Sequence, residues 1–295
     1  MPSRRGVLLG LLGLGAVAAI GGPPLVGVRR VRPRGTPSDD LVADWGAVLD
    51  AVVVNGLVRW ELVVDGPHRE RLERVCARFA VWGPRTAPED FAGPQDELGY
   101  LIDAYNALVM LGVVRSWPIT SVHDVHGPIP VPRFGFFFGL RFRLDGEWLS
   151  LADLEHGRIF ELSDDARIHA AINCASASCP PLRPRPFQGS QLSERLDEAT
   201  RDWMRAPGSV SFDQGSRRVV FPPLFAFYPD DFAAHAAREG WGDSWTQFAL
   251  HWLEPDRAAE VRERLDEGWE AHRPDYDWNL NQAPAPAPRP TPRRR

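Results

Sequence analysis

Apolar residues recur at helical spacing in seven segments of the chain, and this spacing predicts a helix in each of them. The strongest helix is predicted over 98–114, where Leu101, Tyr105, Leu108 and Leu111 form one apolar face. The other predicted helices cover residues 41–54, 68–82, 192–204, 230–238, 245–253 and 257–269. Short segments between these predicted helices are left for strands.

Those short segments show the alternation of side chains along the chain, and the flanking turn residues, that are typical of strands. A strand is predicted over 134–144, with Asp145-Gly146 as a hairpin turn and a brief return at Trp148-Leu149. Further strand segments are predicted over 167–173, 210–212 and 218–221, the last two as a hairpin around Gln214-Gly215. Because helices and short strands are mixed without a βαβ rhythm, the predicted fold class is α+β.

The first 28 residues have a different pattern from the rest of the chain. Arg4-Arg5 precede an apolar run rich in Leu, Ala and Gly, and no charge follows until Arg29. The segment is either a twin-arginine-like signal peptide, with Ala16-Val17-Ala18 as a cleavage site, or a retained membrane anchor about 20 residues long. Both interpretations predict contact with the membrane or the export machinery. The protein is accordingly expected to be exported, periplasmic or extracellular, or membrane-anchored.

Two Pro- and Arg-rich segments flank the predicted domain. Residues 29–40 are predicted to be a linker, and 282–295 a disordered tail of polyproline character. The domain between them spans 41–281, a length that fits one domain.

Charge is also divided between the ends and the body. All 34 basic residues are arginines, and ten of them lie in 1–34 and 282–295, where there is no carboxylate. The body carries the other 24 arginines against 39 carboxylates, a formal charge of −15. Nucleic acid is therefore not predicted as the partner, because phosphate binding needs a positive face.

Two polar clusters interrupt the helical pattern. Asp103 and Asn106 share a face of the strongest helix, where they form either a buried hydrogen-bond network or part of a site. Ser150-Leu-Ala-Asp153 is a capping-box pattern that predicts the start of a helix carrying Glu155 and His156. Adjacent helical side chains point about 100° apart, so these two are not expected to serve one point equally. His156 is then a base, a ligand or a packing residue.

A third cluster runs from His169 to Cys179 and ends in a loop of small residues. Its two cysteines, Cys174 and Cys179, allow three interpretations. They form a disulfide or remain inert thiols, or one of them is a nucleophile activated by His169 or His156. In the third interpretation, a thiolate joins the two histidines as zinc ligands.

Other familiar sites are absent from the sequence. It contains no P-loop, GxGxxG, GxSxG or HExxH motif, and no cofactor is predicted. His123 and His126 have the spacing of a metal pair, but exposed loop histidines are the commoner case. Cys76 lies in an apolar helical stripe and is predicted to be a core residue.

Taken in order, these motifs resemble the domain-of-unknown-function 547 (DUF547) family. The resemblance covers about residues 41–281 and is densest over 98–204; it is carried by the stretches 103–108, 150–156, 167–182, 225–232 and 276–281. The chain has Asp103 where members usually have Asn, and Phe227 where they usually have Trp. The resemblance implies no particular activity. Members outside bacteria do not uniformly keep the cysteine pair, which makes the histidines the more general candidates.

One main hypothesis and two alternatives follow. The main hypothesis is an exported or membrane-tethered thiol/histidine hydrolase or acyl transferase, acting at the cell envelope on an unknown small-molecule or envelope partner. Its nucleophile is Cys174 or Cys179, its base is His169 or His156, and Glu155 or Asn106 orients the base. The first alternative is a non-catalytic envelope binding module with a structural disulfide. The second is a metal-dependent site built on His156, His169 and a thiolate.

Overall fold

The computed structural model of the protein describes residues 28–127 and 134–284. Its first regular elements are β1 (Arg29–Val31), α1 (Leu41–Val52), β2 (Val53–Val54), β3 (Leu57–Val58), α2 (Trp60–Val64), α3 (Arg69–Val81) and α4 (Pro94–Ser116). They are followed by β4 (Leu140–Leu144), β5 (Glu147–Leu149), α5 (Leu151–Leu154), α6 (Phe160–Leu162), α7 (Leu192–Arg205), β6 (Ser211–Asp213), β7 (Arg218–Val220), α8 (Pro229–Arg238), α9 (Trp245–Trp252), α10 (Pro255–Asp266) and β8 (Glu270–His272). The predicted α+β class is confirmed.

Helix α4 is the centre of the fold. Every residue from Leu98 to Val114 is buried, because α3, α5, α7 and β4 pack around it. The predicted apolar face is therefore only part of a helix that is enclosed on all sides. Within 28–127 and 134–284, α4 is the one helix long and apolar enough to span a membrane, and it lies inside the core of this domain.

Two three-stranded sheets lie against the helices. In one, β4 pairs antiparallel with β5 and parallel with β1. In the other, β7 pairs antiparallel with β6 and parallel with β8. The two predicted hairpins are thus confirmed. The first turns at Asp145-Gly146, where φ is positive at both residues and the buried Asp145 carboxylate accepts the backbone N–H groups of Arg85 and Thr86.

The domain extends beyond the predicted limits at both ends. Strand β1 lies in the segment predicted to be a linker, and its Val31 is buried beside β4. At the other end, Val58 donates its N–H to the carbonyl of Asn281 and accepts the N–H of Ala283, at 2.8 and 2.9 Å. The predicted signal peptide or anchor, up to residue 27, and the predicted tail from residue 285 lie outside the described residues.

Two strand predictions differ from the structure. Residues 134–144 begin with a π-helix, Phe134–Gly139, and only Leu140–Leu144 is a strand. The prediction of a strand over 167–173 is wrong, because Ala166–Ala170 forms a 3-10 helix. Asp165 begins this turn by accepting the N–H of Arg167 on its side chain and that of Ile168 on its carbonyl. This local capping replaces the pairing that a strand would need.

Candidate functional site

An open pocket of about 100 Å³ lies where the polar clusters of the sequence meet. Five of the predicted site residues line it: Glu155, His156, His169, Cys174 and Cys179. Its walls are mostly aromatic or aliphatic and comprise Tyr105, Phe137, Phe138, Ala152, Ile172, Pro180, Leu224, Phe227, Tyr228, Tyr276 and Trp278. Titratable groups are thus gathered in a mainly apolar concavity, which is the usual setting of a small-molecule site.

The two cysteines approach each other on a tight loop. Ala175 has a φ of +65°, and the N–H of Cys179 donates to the carbonyl of Ser176 at 3.0 Å, so the chain reverses between the thiols. The N–H of Cys174 donates to Sγ of Cys179 at 3.0 Å. The hydroxyl of Tyr276 lies 3.4 Å from Sγ of Cys174 and 3.2 Å from Sγ of Cys179. Both cysteines are free thiols in the structure, whereas the first alternative expects them to be bridged.

The surroundings make the two thiols unequal. Burial disfavours ionisation of Cys174, but hydrogen bonds, led by the one from the Cys179 thiol and including one from Tyr276, bring its pKa down to about 7. Burial, together with the negative charge of Cys174, raises the pKa of Cys179 well above its usual range. Burial and the two sulfurs likewise raise the pKa of Tyr276, which stays a phenol and a donor. Of the two thiols, Cys174 is therefore the one whose surroundings favour ionisation.

Asn106 does not line the pocket and orients no imidazole, so that predicted role is wrong. Its side chain is buried under the cysteine loop, where it accepts the N–H of Asn173 at 2.8 Å and donates to the carbonyl of Ala171 at 2.9 Å. Asn173 in turn accepts the N–H of Ala175 and donates to the carbonyl of Pro180. Asn106 thus holds the loop that presents both thiols.

Asp103 shares the helix with Asn106 but fixes a different segment. Its carboxylate accepts the indole N–H of Trp45 and the backbone N–H groups of Phe187 and Gln188, at 2.9 to 3.1 Å. Burial raises the pKa of Asp103 to about 6, even though these hydrogen bonds favour the carboxylate. Its role is to anchor the chain ahead of α7.

Glu155 and His156 both face the pocket, which differs from the prediction for adjacent helical residues. The capping box at Ser150 is confirmed, but the helix widens into a π-helix at Glu155–Ile159, a feature often found at functional sites. Glu155 accepts the hydroxyls of Tyr105 at 2.8 Å and Tyr228 at 3.1 Å. The Nε2 atom of His156 lies 3.9 Å from an oxygen of Glu155.

Burial, followed by the charge of Glu155, raises the pKa values of Tyr105 and Tyr228 well above their usual range. Both tyrosines therefore remain phenols and donate to the carboxylate. Glu155 is fixed by two donors from other parts of the chain, and its position beside His156 does not depend on the imidazole.

His169 is buried and pairs with a carboxylate from α8. Its Nε2 atom lies 3.1 Å from Oδ2 of Asp231, and its ring packs against Tyr228 and Phe160 with centroid distances of 4.1 and 4.7 Å. An imidazole held by a carboxylate is the arrangement that orients general bases in nucleophilic enzymes. In the described part of the chain, the hydrogen bonds of the two thiols go to each other, to Tyr276 and to the loop, and none goes to an imidazole.

The metal alternative is also contradicted. Among residues 28–127 and 134–284, no three His, Cys, Asp or Glu side chains are arranged to hold a metal ion. Of the donors that this alternative required, His169 is directed to Asp231. The ring of His123 stacks on Trp278, with the centroids 5.1 Å apart.

Three residues that make polar contacts in the site were not predicted to belong to it: Tyr228, Asp231 and Tyr276. They lie in the stretches 225–232 and 276–281, which contribute to the family resemblance but carry no local pattern of a site. Asp231 is 62 residues from His169, and Tyr276 is 102 residues from Cys174. Membership of those stretches was the one available signal.

Comparison with known proteins supports the family resemblance. The family model described as "Protein of unknown function, DUF547" matches residues 89–204, which run from just before α4 almost to the end of α7 and include every predicted site residue. Asp231 and Tyr276 lie beyond the matched segment. Neither the curated proteins nor the solved structures contain a match to this chain.

Proposed function

We propose that this chain, which carries a domain of the DUF547 family, is a cysteine-dependent hydrolase or acyl transferase that is exported or tethered to the membrane. The observation that carries this proposal is the position of Cys174. Its sulfur lies in an open pocket, receives hydrogen bonds from Cys179 and Tyr276, and sits on a loop fixed by buried amides. Such an environment favours a thiolate, which is the nucleophilic form of cysteine.

The reaction would begin with attack of the Cys174 sulfur on a carbonyl carbon. A carbon–sulfur bond forms, the bond to the leaving group breaks, and the leaving group takes a proton from a protonated imidazole. Water or another acceptor nucleophile then gives a proton back to that imidazole, cleaves the thioester and restores the thiolate. We assign the proton transfers to His169, because the carboxylate of Asp231 holds and orients its ring. His156, beside Glu155, is the second imidazole of the pocket.

The pocket walls favour an apolar acyl group. Phe137, Phe227 and Trp278 form adjoining aromatic surfaces, with ring centroids 6.0 to 6.4 Å apart where they meet Trp278. A charged acyl group would lose its hydration against these walls without a matching partner. Esters or thioesters of short apolar acids are therefore the class to test first.

The test is hydrolysis of a series of p-nitrophenyl esters by the purified full chain, before and after iodoacetamide treatment. We expect hydrolysis of the apolar esters and its loss in step with alkylation of Cys174, mapped by peptide mass spectrometry. Hydrolysis that survives complete alkylation of Cys174 would sink the proposal. Cys76 is fully buried and serves as an internal thiol that should stay unmodified.

The pH dependence of alkylation provides a separate prediction. Because hydrogen bonds lower the pKa of Cys174 to about 7, the rate of modification should rise with pH through a midpoint near 7. A free cysteine would show a midpoint of about 8.5. In Tyr276→Phe the thiolate loses a donor, so the midpoint should move upward and the rate at pH 7 should fall. An unchanged midpoint in a folded Tyr276→Phe protein would contradict the role given to this hydroxyl.

Export is predicted to depend on the two arginines near the amino terminus. In a bacterial host with a twin-arginine pathway, the full chain should leave the cytoplasm, whereas the double variant Arg4→Lys, Arg5→Lys should stay there unprocessed. The matched control Arg294→Lys, Arg295→Lys makes the same substitutions at the other end. Cell fractionation locates the protein, and its intact mass tells a cleaved signal from a retained anchor. Equal export of both variants would rule out the twin-arginine signal.

A further inference from the structure

We infer that Cys174 and Cys179 form a redox-active pair that exchanges with small-molecule disulfides and closes to an intramolecular disulfide. This activity uses the same thiolate as the proposed hydrolase but needs no carbonyl substrate. It requires an attacking thiolate, a second thiol within reach of the first, and access for the co-reactant. The structure supplies each of these.

The reach of the second thiol follows from the loop. The two side chains hydrogen-bond each other, share the hydroxyl of Tyr276, and are joined by the bond from the Cys174 N–H to Sγ of Cys179. Asn173 holds the loop at both ends through Ala175 and Pro180. The loop is therefore already closed in the thiol state. Forming the disulfide costs little further chain entropy, because that cost grows with the freedom of the segment that is closed.

The two cysteines differ as an attacking and a resolving thiol do. The hydrogen bond from Cys179 favours the thiolate at Cys174, while Cys179 keeps its proton. The attacking sulfur is thus ionised near neutral pH, the range in which exchange is fastest for such a thiol. Both cysteines are partly exposed and line the pocket, so a small disulfide can approach them. Cys76, by contrast, is enclosed in the core.

The exchange balances in two steps with a small-molecule disulfide such as glutathione disulfide. The Cys174 thiolate attacks one sulfur of that disulfide, forming a mixed disulfide and releasing one glutathione thiolate. Cys179 then loses its proton to the solvent and attacks the Cys174 sulfur, which releases the second glutathione thiolate. The protein loses two electrons and the glutathione disulfide gains them. The closed disulfide has no free thiolate at Cys174, so oxidation would also switch off the proposed hydrolase.

The experiment equilibrates the full chain with glutathione buffers of increasing oxidised fraction, then traps remaining thiols and measures intact and peptide masses. We expect the native chain to close to the 174–179 disulfide. Cys179→Ser should stop at a mixed disulfide of glutathione with Cys174, and Cys174→Ser should react at least about tenfold more slowly. Cys76→Ser is the matched control and should behave like the native chain.

Two results would overturn the inference. The first is a native chain that keeps glutathione on Cys174 and does not close to the disulfide. The second is that the native chain and Cys179→Ser both stay fully reduced in the glutathione buffers. The ester assay separates this inference from the proposed function. Closure without ester hydrolysis in the reduced protein would remove only the hydrolase. Hydrolysis that depends on Cys174 in a chain that never closes would remove only the redox activity.

Discussion

Cys174→Ser is expected to lower the rate of ester hydrolysis by at least about a thousandfold, because the serine hydroxyl stays protonated at neutral pH and, among the described residues, no imidazole is hydrogen-bonded to this position to activate it. In the proposed mechanism the native residue needs no such base for its attack, since Cys179 and Tyr276 already favour the thiolate. The measurement is kcat/KM for the best p-nitrophenyl ester at several pH values.

Cys76→Ser is the control for this prediction. It makes the same chemical change in the core, where a hydroxyl can still donate to the carbonyl of Ala107 that Cys76 faces. This variant should keep its activity. A Cys174→Ser protein that unfolds like the native chain and still hydrolyses the ester would show that Cys174 is not the nucleophile.

Asn106→Leu is expected to destabilise the protein by about 2–4 kcal/mol and to lower its melting temperature by about 5–15 °C. Leucine has a similar size but leaves the N–H of Asn173 and the carbonyl of Ala171 buried without their partner. An unsatisfied buried polar group costs far more than an exposed one. Because these two groups lie at the base of the cysteine loop, the variant should also lose the low pH midpoint of Cys174 alkylation.

Thr200→Val is the matched control for Asn106→Leu. Thr200 is equally buried in α7, but its hydroxyl donates to the carbonyl of Leu196, which the helix already uses. Its replacement should cost less than about 1 kcal/mol. Thermal unfolding of both variants tests the comparison. An Asn106→Leu protein as stable as Thr200→Val would contradict the role of the amide in holding the loop.

The local elements of the fold follow from patterns that the sequence displays. The helical spacing around Leu101 and Leu108 predicts α4, the Ser150 capping box predicts the start of α5, and Asp145-Gly146 predicts the turn between β4 and β5. Each of these depends on residues within one or two turns of each other. Such local signals can be recognised without knowing how the rest of the chain folds.

The prediction fails where local composition or capping and strand pairing with a distant part of the chain favour different structures. The apolar residues around Ile168 suit a strand, but the side chain and carbonyl of Asp165 cap a 3-10 helix there. The segment 29–40 has the composition of a linker, yet the edge of β4 accepts Arg29–Val31 as a parallel strand. In each case the hydrogen-bond partner that decides the structure is available only because the backbone is already folded in a particular way, and composition does not show this.

The candidate site was likewise predictable from the sequence only in part. The sequence by itself determined five of the side chains that line the pocket, because Glu155, His156, His169, Cys174 and Cys179 stand out from an apolar background. Only the tertiary structure decided their roles: it paired His169 with Asp231, placed Tyr276 between the two sulfurs, and set Asn106 beneath the loop. These contacts join residues 62 to 102 positions apart, and such distant pairs are selected by the packing of the whole core around α4.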